Sequence, residues 1–353
     1  MAMQWIQENI NAFGGDPTQV TIWGQSAGGS SVMCHMISPA SKGLMNGVAM
    51  DSNPITLELN TEELASELSS RFASILGCDA SDLTCLRNQN TSAIVDAQNA
   101  AIEIYPLHPL NAFMPWQPMV DGDLIPMQPM DAISSGNYDH VPFITGTVNN
   151  EGVMFIYSAF PNPVPYEEYL ALVGVIFGPV APKVLQKYPV PMSQRNDTRN
   201  VISQLGTDYI FLCPVRHIVQ EISNDSVPVY YYHFDHYFTN FNPWGPDYPE
   251  CIDEVCHGSE LPYIFNSAEI GHRFTGYVWS DQEATLANLI STYWGNFAIT
   301  QNPNSPNSVS LNWPAYQVSS DQDLEFATPS TVETGYRESY CDFWDGLGYT
   351  WGN

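Results

Sequence analysis

The stretch Val20-Thr21-Ile22-Trp23-Gly24-Gln25-Ser26-Ala27-Gly28-Gly29 decides the fold. Its first four residues are β-branched or aromatic, types that suit a pleated, half-buried surface, so they read as a strand. From Ser30 to Ile37 apolar residues recur at a spacing that suits a buried helix. Between the two lies the Gly-x-Ser-x-Gly turn Gly24-Gln25-Ser26-Ala27-Gly28. Small residues on both sides let the backbone turn so tightly that the serine hydroxyl projects from the sheet edge, which makes Ser26 a candidate nucleophile. A strand before and a helix after separate this motif from a chance glycine turn.

Upstream, Met3, Ile6, Ile10 and Phe13 fall on one face of a helix, and Gly14-Gly15-Asp16-Pro17 turns into the strand. Downstream, Thr61 to Leu76 reads as a helix capped by Thr61, with Leu64, Leu68, Phe72 and Ile75 as its apolar stripe. Val141 to Val148 and the tyrosine-rich Val227 to Phe234 read as strands. Gln282 to Thr300 reads as a helix, Asn302 to Ser310 as a surface loop, and Tyr340 to Trp344 lies in an aromatic closing segment. Strands alternating with helices predict an α/β fold with a mainly parallel sheet. Active sites of such sheets gather where loops leave the carboxyl ends of the strands. Ser26, Glu151 and the loop bearing His257 fit that position.

Composition narrows the function classes. With 353 residues, 44% hydrophobic and 14% charged, the chain has the make-up of a folded protein. Ten basic against 38 acidic residues give a net charge of −28, a field that repels phosphate backbones, so nucleic acid is not an expected partner. By inspection no apolar run reaches the ~18 residues that span a bilayer, so the chain reads as soluble with no transmembrane segment. Met1 is not followed by a signal-peptide pattern. Seven cysteines cannot all pair within the chain, so at least one is free. Cys78 and Cys85, and Cys251 and Cys256, are close enough in sequence to bridge, the alternative being buried reduced thiols. Sequons at Asn90, Asn196 and Asn224 are compatible with a secretory route.

A serine hydroxyl needs a general base within hydrogen-bond reach and a third group to hold that base. When the acid and then the histidine follow the serine in the chain, His217, His233, His236, His257 and His272 are candidates beyond Glu151. His233 lies in a strand pattern and His217 in an apparent helix, whereas His257 precedes Gly258 in a loop that a Cys251–Cys256 bridge would hold.

Phe13-Gly14-Gly15-Asp16-Pro17 followed by Val20 to Gly29 closely resembles the signature of the type-B carboxylesterase/lipase family, cholinesterase-like α/β-hydrolases. Asn150-Glu151-Gly152 resembles the family segment carrying the acid. Val255-Cys256-His257-Gly258-Ser259-Glu260-Leu261-Pro262 resembles the one carrying the histidine. Phe211-Leu212-Cys213-Pro214 and Cys341-Asp342-Phe343-Trp344 also match, so the resemblance covers nearly the whole chain. It implies an α/β-hydrolase fold and hydrolysis of small-molecule or lipid carboxylic esters through an acyl-enzyme. In it, Ser26 attacks, His257 moves the proton, Glu151 orients the imidazole and the Ala27 N–H donates to the oxyanion. It implies no cofactor and no metal. Gln25 and Ser52 would support the triad. The resemblance also implies bridges Cys78–Cys85 and Cys213–Cys341, which with Cys251–Cys256 leave Cys34 as a buried free thiol, and a secreted glycoprotein.

Two departures qualify that resemblance. Many family members carry Glu where this chain has Gln25, so a preference for cationic esters is not implied. Family members also have a long segment before this point that includes a Gly-Gly oxyanion loop and several strands. The expectation is therefore a single, partial domain over residues 1–353 without those N-terminal strands, the product of a fragment or a truncated gene model. Such a chain would expose apolar sheet surface. A non-catalytic adhesion or binding protein and an inactive truncated product are the competing readings. Trp116, Phe155 and Phe241 are candidate pocket-lining aromatics.

Overall fold

A computed structural model describes residues 1–102, 110, 113–225, 227–238, 241–267, 273 and 276–349. Six strands form one sheet in the order β1 (Thr21–Gln25), β2 (Gly47–Asp51), β3 (Phe143–Val148), β4 (Val229–Phe234), β5 (Gln322–Phe326) and β6 (Thr331–Thr334). The first five are mutually parallel and β6 closes the sheet antiparallel to β5. Ile22 pairs with Val48, Val48 with Phe143, and Phe143 with Val229, so the ladder is continuous from β1 to β4.

Successive side chains on a strand point to opposite faces, and both faces here are covered. Val48, Met50, Phe143, Val229 and Tyr231 pack on one side with Val32, Met33, Met36 and Ile37 of α2 (Ala27–Ile37) and with Val215, Ile218 and Ile222 of the helix Cys213–Ser223. Ala49, Ile144, Tyr230 and Tyr232 pack on the other with Leu286, Ile290, Tyr293 and Phe297 of the helix Asp281–Thr300. β2, β3 and β4 are wholly buried, whereas β1, at the sheet edge, is mostly half-buried. A third cluster, around Phe177, Tyr209 and Trp344, lies among helices, and the Cys213–Cys341 bridge sits within it.

Several expectations needed correction. The first helix, α1 (Ala2–Asn9), gives way to a 3-10 turn over Ile10–Phe13, which Gly14 ends with φ 83°. Of the presumed apolar face only Met3 is buried, in the same layer as α2, and Phe13 is 72% exposed. The helix α3 (Glu62–Ile75) is capped as read, Thr61 Oγ1 accepting from the Leu64 N–H at 3.3 Å, yet Ile75 at its end is exposed. Contrary to the reading by inspection, Tyr166–Lys187 is long and apolar enough to cross a membrane by length and composition, with mean hydropathy 1.5. The structure breaks it at Gly178-Pro179 into helices Tyr166–Phe177 and Ala181–Lys187, whose Tyr169, Val173, Phe177 and Val184 are core residues.

Candidate active site

Ser26 stands at the junction of β1 and α2 with φ 58° and ψ −122°, a conformation that a side chain tolerates only where the surroundings enforce it. Its backbone N–H donates to the Asp51 carbonyl at 2.9 Å, which ties the turn to β2. Gly24 is obligatory: a Cβ there would fall 2.3 Å from the Gly28 carbonyl carbon and oxygen. Ser26 is the N-cap of α2 but its hydroxyl makes no capping bond, and the first-turn N–H groups, Ala27 among them, form the positive end of the helix dipole.

Glu151 follows β3 and is fully buried. Its Oε1 accepts from the Val148 N–H at 2.9 Å and its Oε2 from His257 Nδ1. That bond fixes the tautomer with the proton on Nδ1 and leaves the Nε2 lone pair free to accept. Gln25 Nε2 lies 3.1 Å from His257 Nε2, so the amide beside Ser26 donates to the imidazole. Phe155 and Phe211 flank the ring with centroids at 4.9 and 5.2 Å.

The histidine loop is held against the acid loop. The Asn150 N–H donates to the Val255 carbonyl at 3.1 Å, and Asn150 Oδ1 accepts from the Val255 N–H at 3.0 Å. The Cys251–Cys256 disulfide closes the loop one residue before His257. The structure also joins Cys78 to Cys85 and leaves Cys34 buried and free, its thiol pushed up to about 11 by burial.

Other candidates lie elsewhere. His233 is buried against Asp323 and stacks on Tyr336 at 3.7 Å; burial works against its charge, but the Asp323 and Glu325 carboxylates win and lift it to about 9. His217 pairs with Asp345 at 3.2 Å and His236 with Glu283 at 3.5 Å. His272 lies outside the described residues. Ser52, with φ 51°, donates its N–H to the Gly146 carbonyl and its buried hydroxyl has no partner among the described residues. Trp116 packs on Phe72 and Phe241 on Tyr277, so of the three aromatics only Phe155 reaches the imidazole.

Sequence reading named Gln25 as a supporting residue without its contact to the imidazole, and did not single out the Asn150 clamp or two further buried carboxyls. Asp51, at the end of β2, is fully buried; its Oδ2 accepts from Trp23 Nε1 and its Oδ1 has no partner among the described residues. Burial pushes it up to about 7, the negative Glu151 adding to the effect while the Trp23 bond opposes it. Glu260 is equally buried with neither oxygen partnered among the described residues, and burial, then Asp51 and Glu151, hold it well above the usual carboxyl range.

A parallel sheet with a serine elbow at one strand end and a buried acid–imidazole pair in the loops beside it defines an α/β-hydrolase. The solved structure of PNB esterase superposes with TM-score 0.76 at 26% identity, covering 97% of this chain and 67% of the other. Residues 1–344 match the model of the Carboxylesterase family, and the chain belongs to that family. It is 40% identical over 336 residues to the cAMP-regulated D2 protein of Dictyostelium discoideum, covering 94% of this chain and 60% of that one. It is 31% identical over 337 residues to the para-nitrobenzyl esterase of Bacillus subtilis, covering 94% and 63%. The chain thus spans about three fifths of the length of these relatives.

Proposed function

We propose that this protein hydrolyses carboxylic esters with Ser26 as nucleophile, His257 as general base and then acid, and Glu151 as the group that orients the imidazole. Family membership supports ester hydrolysis in general. The observation that supports the finer reading best is the buried Glu151–His257 pair, whose acceptor nitrogen Nε2 meets Gln25, the residue next to Ser26. In the first step the Ser26 oxygen bonds to the ester carbonyl carbon while its proton passes to His257 Nε2, for which Gln25 has to release that lone pair. Glu151 stabilises the imidazolium. The Ala27 N–H donates to the oxyanion, a contribution of about 3 kcal/mol per donor in sites of this kind. The intermediate then expels the alcohol with the His257 proton, and water cleaves the acyl-Ser26 bond by the same route.

A small-molecule or lipid ester is the substrate, and an oxidising, secretory compartment suits the chain. Three disulfides occur among the described residues and Asn90, Asn196 and Asn224 are all exposed. A fluorophosphonate probe on the full-length protein is expected to label Ser26 and to leave Ser26→Ala unlabelled. No labelling of well-folded protein overturns the reading.

A further inference from the structure

The loop Asn149-Asn150-Glu151 that leaves β3 is anchored in two directions. Asn150 reaches the histidine loop through Val255. Asn149 reaches away from it, toward the β4 and β5 side of the sheet. Its Nδ2 donates to Asp235 Oδ1 at 2.9 Å, its Oδ1 accepts from the Tyr336 hydroxyl at 2.6 Å, and its backbone N–H donates to the Phe234 carbonyl at 3.0 Å. An amide presents one oxygen and one NH2 group, so a hydroxyl donor on one side and a carboxylate on the other fix which way it faces.

Tyr336 is itself held in place. It stands between Gly335 at φ 71° and Arg337 at φ 55°, in the turn that joins β6 to the helix Glu338–Leu347. The Arg337 guanidinium donates to both oxygens of the fully buried Asp208, a fork that secures this left-handed turn. The Tyr336 ring lies flat on the His233 imidazole, with centroids 3.7 Å and planes 2° apart. Asp323 faces Nδ1 of that imidazole, and Glu325 lies 3.7 Å from Nε2, so the phenol ring rests on a cation. Burial holds the phenol above its ordinary range, and its hydroxyl keeps the proton that it donates to Asn149.

We propose that Tyr336 is a positioning residue: through Asn149 it fixes the loop that carries Glu151, and with it the direction from which the carboxylate meets His257 Nδ1. The proposal rests on the reading of Glu151 as the acid of the site. Glu151 Oε1 is tied to the Val148 N–H at 2.9 Å, so the carboxylate follows the backbone from Val148 to Glu151, and Asn149 lies within that stretch. A displacement of about 1 Å in a catalytic constellation can cost a hundredfold in rate, so the loss of one anchoring bond is felt.

The test measures fluorophosphonate labelling of Ser26 on the full-length protein over a range of probe concentrations. Tyr336→Phe removes the hydroxyl and keeps the stacked ring. Its maximal labelling rate is expected to fall about two- to tenfold, the net worth of one hydrogen bond, with the half-saturating probe concentration unchanged. Asn149→Ala is expected to lower the rate at least as much, and adding Tyr336→Phe to it to lower the rate no further. In a Glu151→Gln background Tyr336→Phe has no carboxylate left to position, and its effect is expected to vanish. A wild-type maximal rate in Tyr336→Phe overturns the proposal. So does a change confined to the half-saturating concentration, or a loss as large in the Glu151→Gln background as in wild type, which is the signature of general structural damage. If Asn149→Ala does not fold, Tyr336→Phe in the two backgrounds decides the matter. Wild-type labelling of Glu151→Gln removes the reading of Glu151 and this proposal with it. A slowed Glu151→Gln beside an unaffected Tyr336→Phe removes this proposal alone.

Discussion

Replacing Asp51 by Asn tests the electrostatics beneath the elbow. The amide keeps the shape of the carboxyl and an oxygen for Trp23 Nε1, and the backbone carbonyl that receives the Ser26 N–H is untouched. What disappears is a proton-binding site. In the unfolded chain an Asp titrates near 3.9, about three units below the value of about 7 to which burial pushes Asp51 in the fold. Between those values the folded state holds a proton that the unfolded state has released, so stability falls as pH rises. The full cost, about 4 kcal/mol, is reached above pH ~7, and a little over a third of it is already present near pH 5. Urea unfolding of wild type and D51N near pH 5 and pH 8 measures the difference. The variant is expected to gain about 2.5 kcal/mol on the wild type in going from the lower pH to the higher. Glu260 and His233 titrate in both proteins and enter both curves. A stability difference that is the same at the two pH values refutes the reasoning.

Three further substitutions probe the site. Gln25→Glu puts a negative charge beside His257 Nε2, which favours the imidazolium; the acid limb of kcat/KM against pH is expected to move up by about one unit, and an unmoved limb would show that Gln25 does not sit on the base. Asn150→Ala leaves the Val255 N–H unpaired at a cost of about 1–3 kcal/mol; a lowered Tm with a lowered kcat is expected, and wild-type values of both dispose of the clamp. Gly24→Ala drives a methyl into the Gly28 backbone, so a loss of about 1–3 kcal/mol or more together with lost Ser26 labelling is expected; a wild-type labelling rate contradicts the packing argument.

The elbow was legible because its period changes within ten residues from a strand to a helix, with glycines where a Cβ cannot fit. β3 and β4 were legible too, but each starts two residues later than its apolar run, after Pro142 and Pro228, which have no N–H to give the ladder. β2 was not. Gly47-Val48-Ala49-Met50-Asp51 has little intrinsic strand preference and becomes a strand because β1 and β3 pair with it on both sides. β5, with Gln322, Asp323 and Glu325, reads as polar although Leu324 and Phe326 are buried to about 1% exposure or less. Glu151 and His257 are 106 residues apart and only the parallel order of the sheet brings their loops together. The imidazole contact of Gln25 and the burial of the Asp51 and Glu260 carboxyls depend on which side chains the folded chain brings together, and no short motif records them.

Asp51, Glu151 and Glu260 also show why composition could not assign the acid. All three are buried to 1% exposure or less and close enough to repel one another. Three negative charges in one dry region would be prohibitively costly, so their environments must differ. The hydrogen-bond donors decide. Glu151 receives the Val148 N–H and the imidazole Nδ1–H, one on each oxygen, whereas among the described residues Asp51 has the Trp23 indole N–H on one oxygen and the Tyr232 hydroxyl nearby, too little to offset its burial, and Glu260 has no donor. Asp51 and Glu260, held above the ordinary carboxyl range, keep their protons to higher pH and so put less negative charge near the Glu151–His257 pair. Adding a fixed charge at Gln25 disturbs that arrangement beside the imidazole, whereas Asp51→Asn leaves a neutral side chain where Asp51 stood.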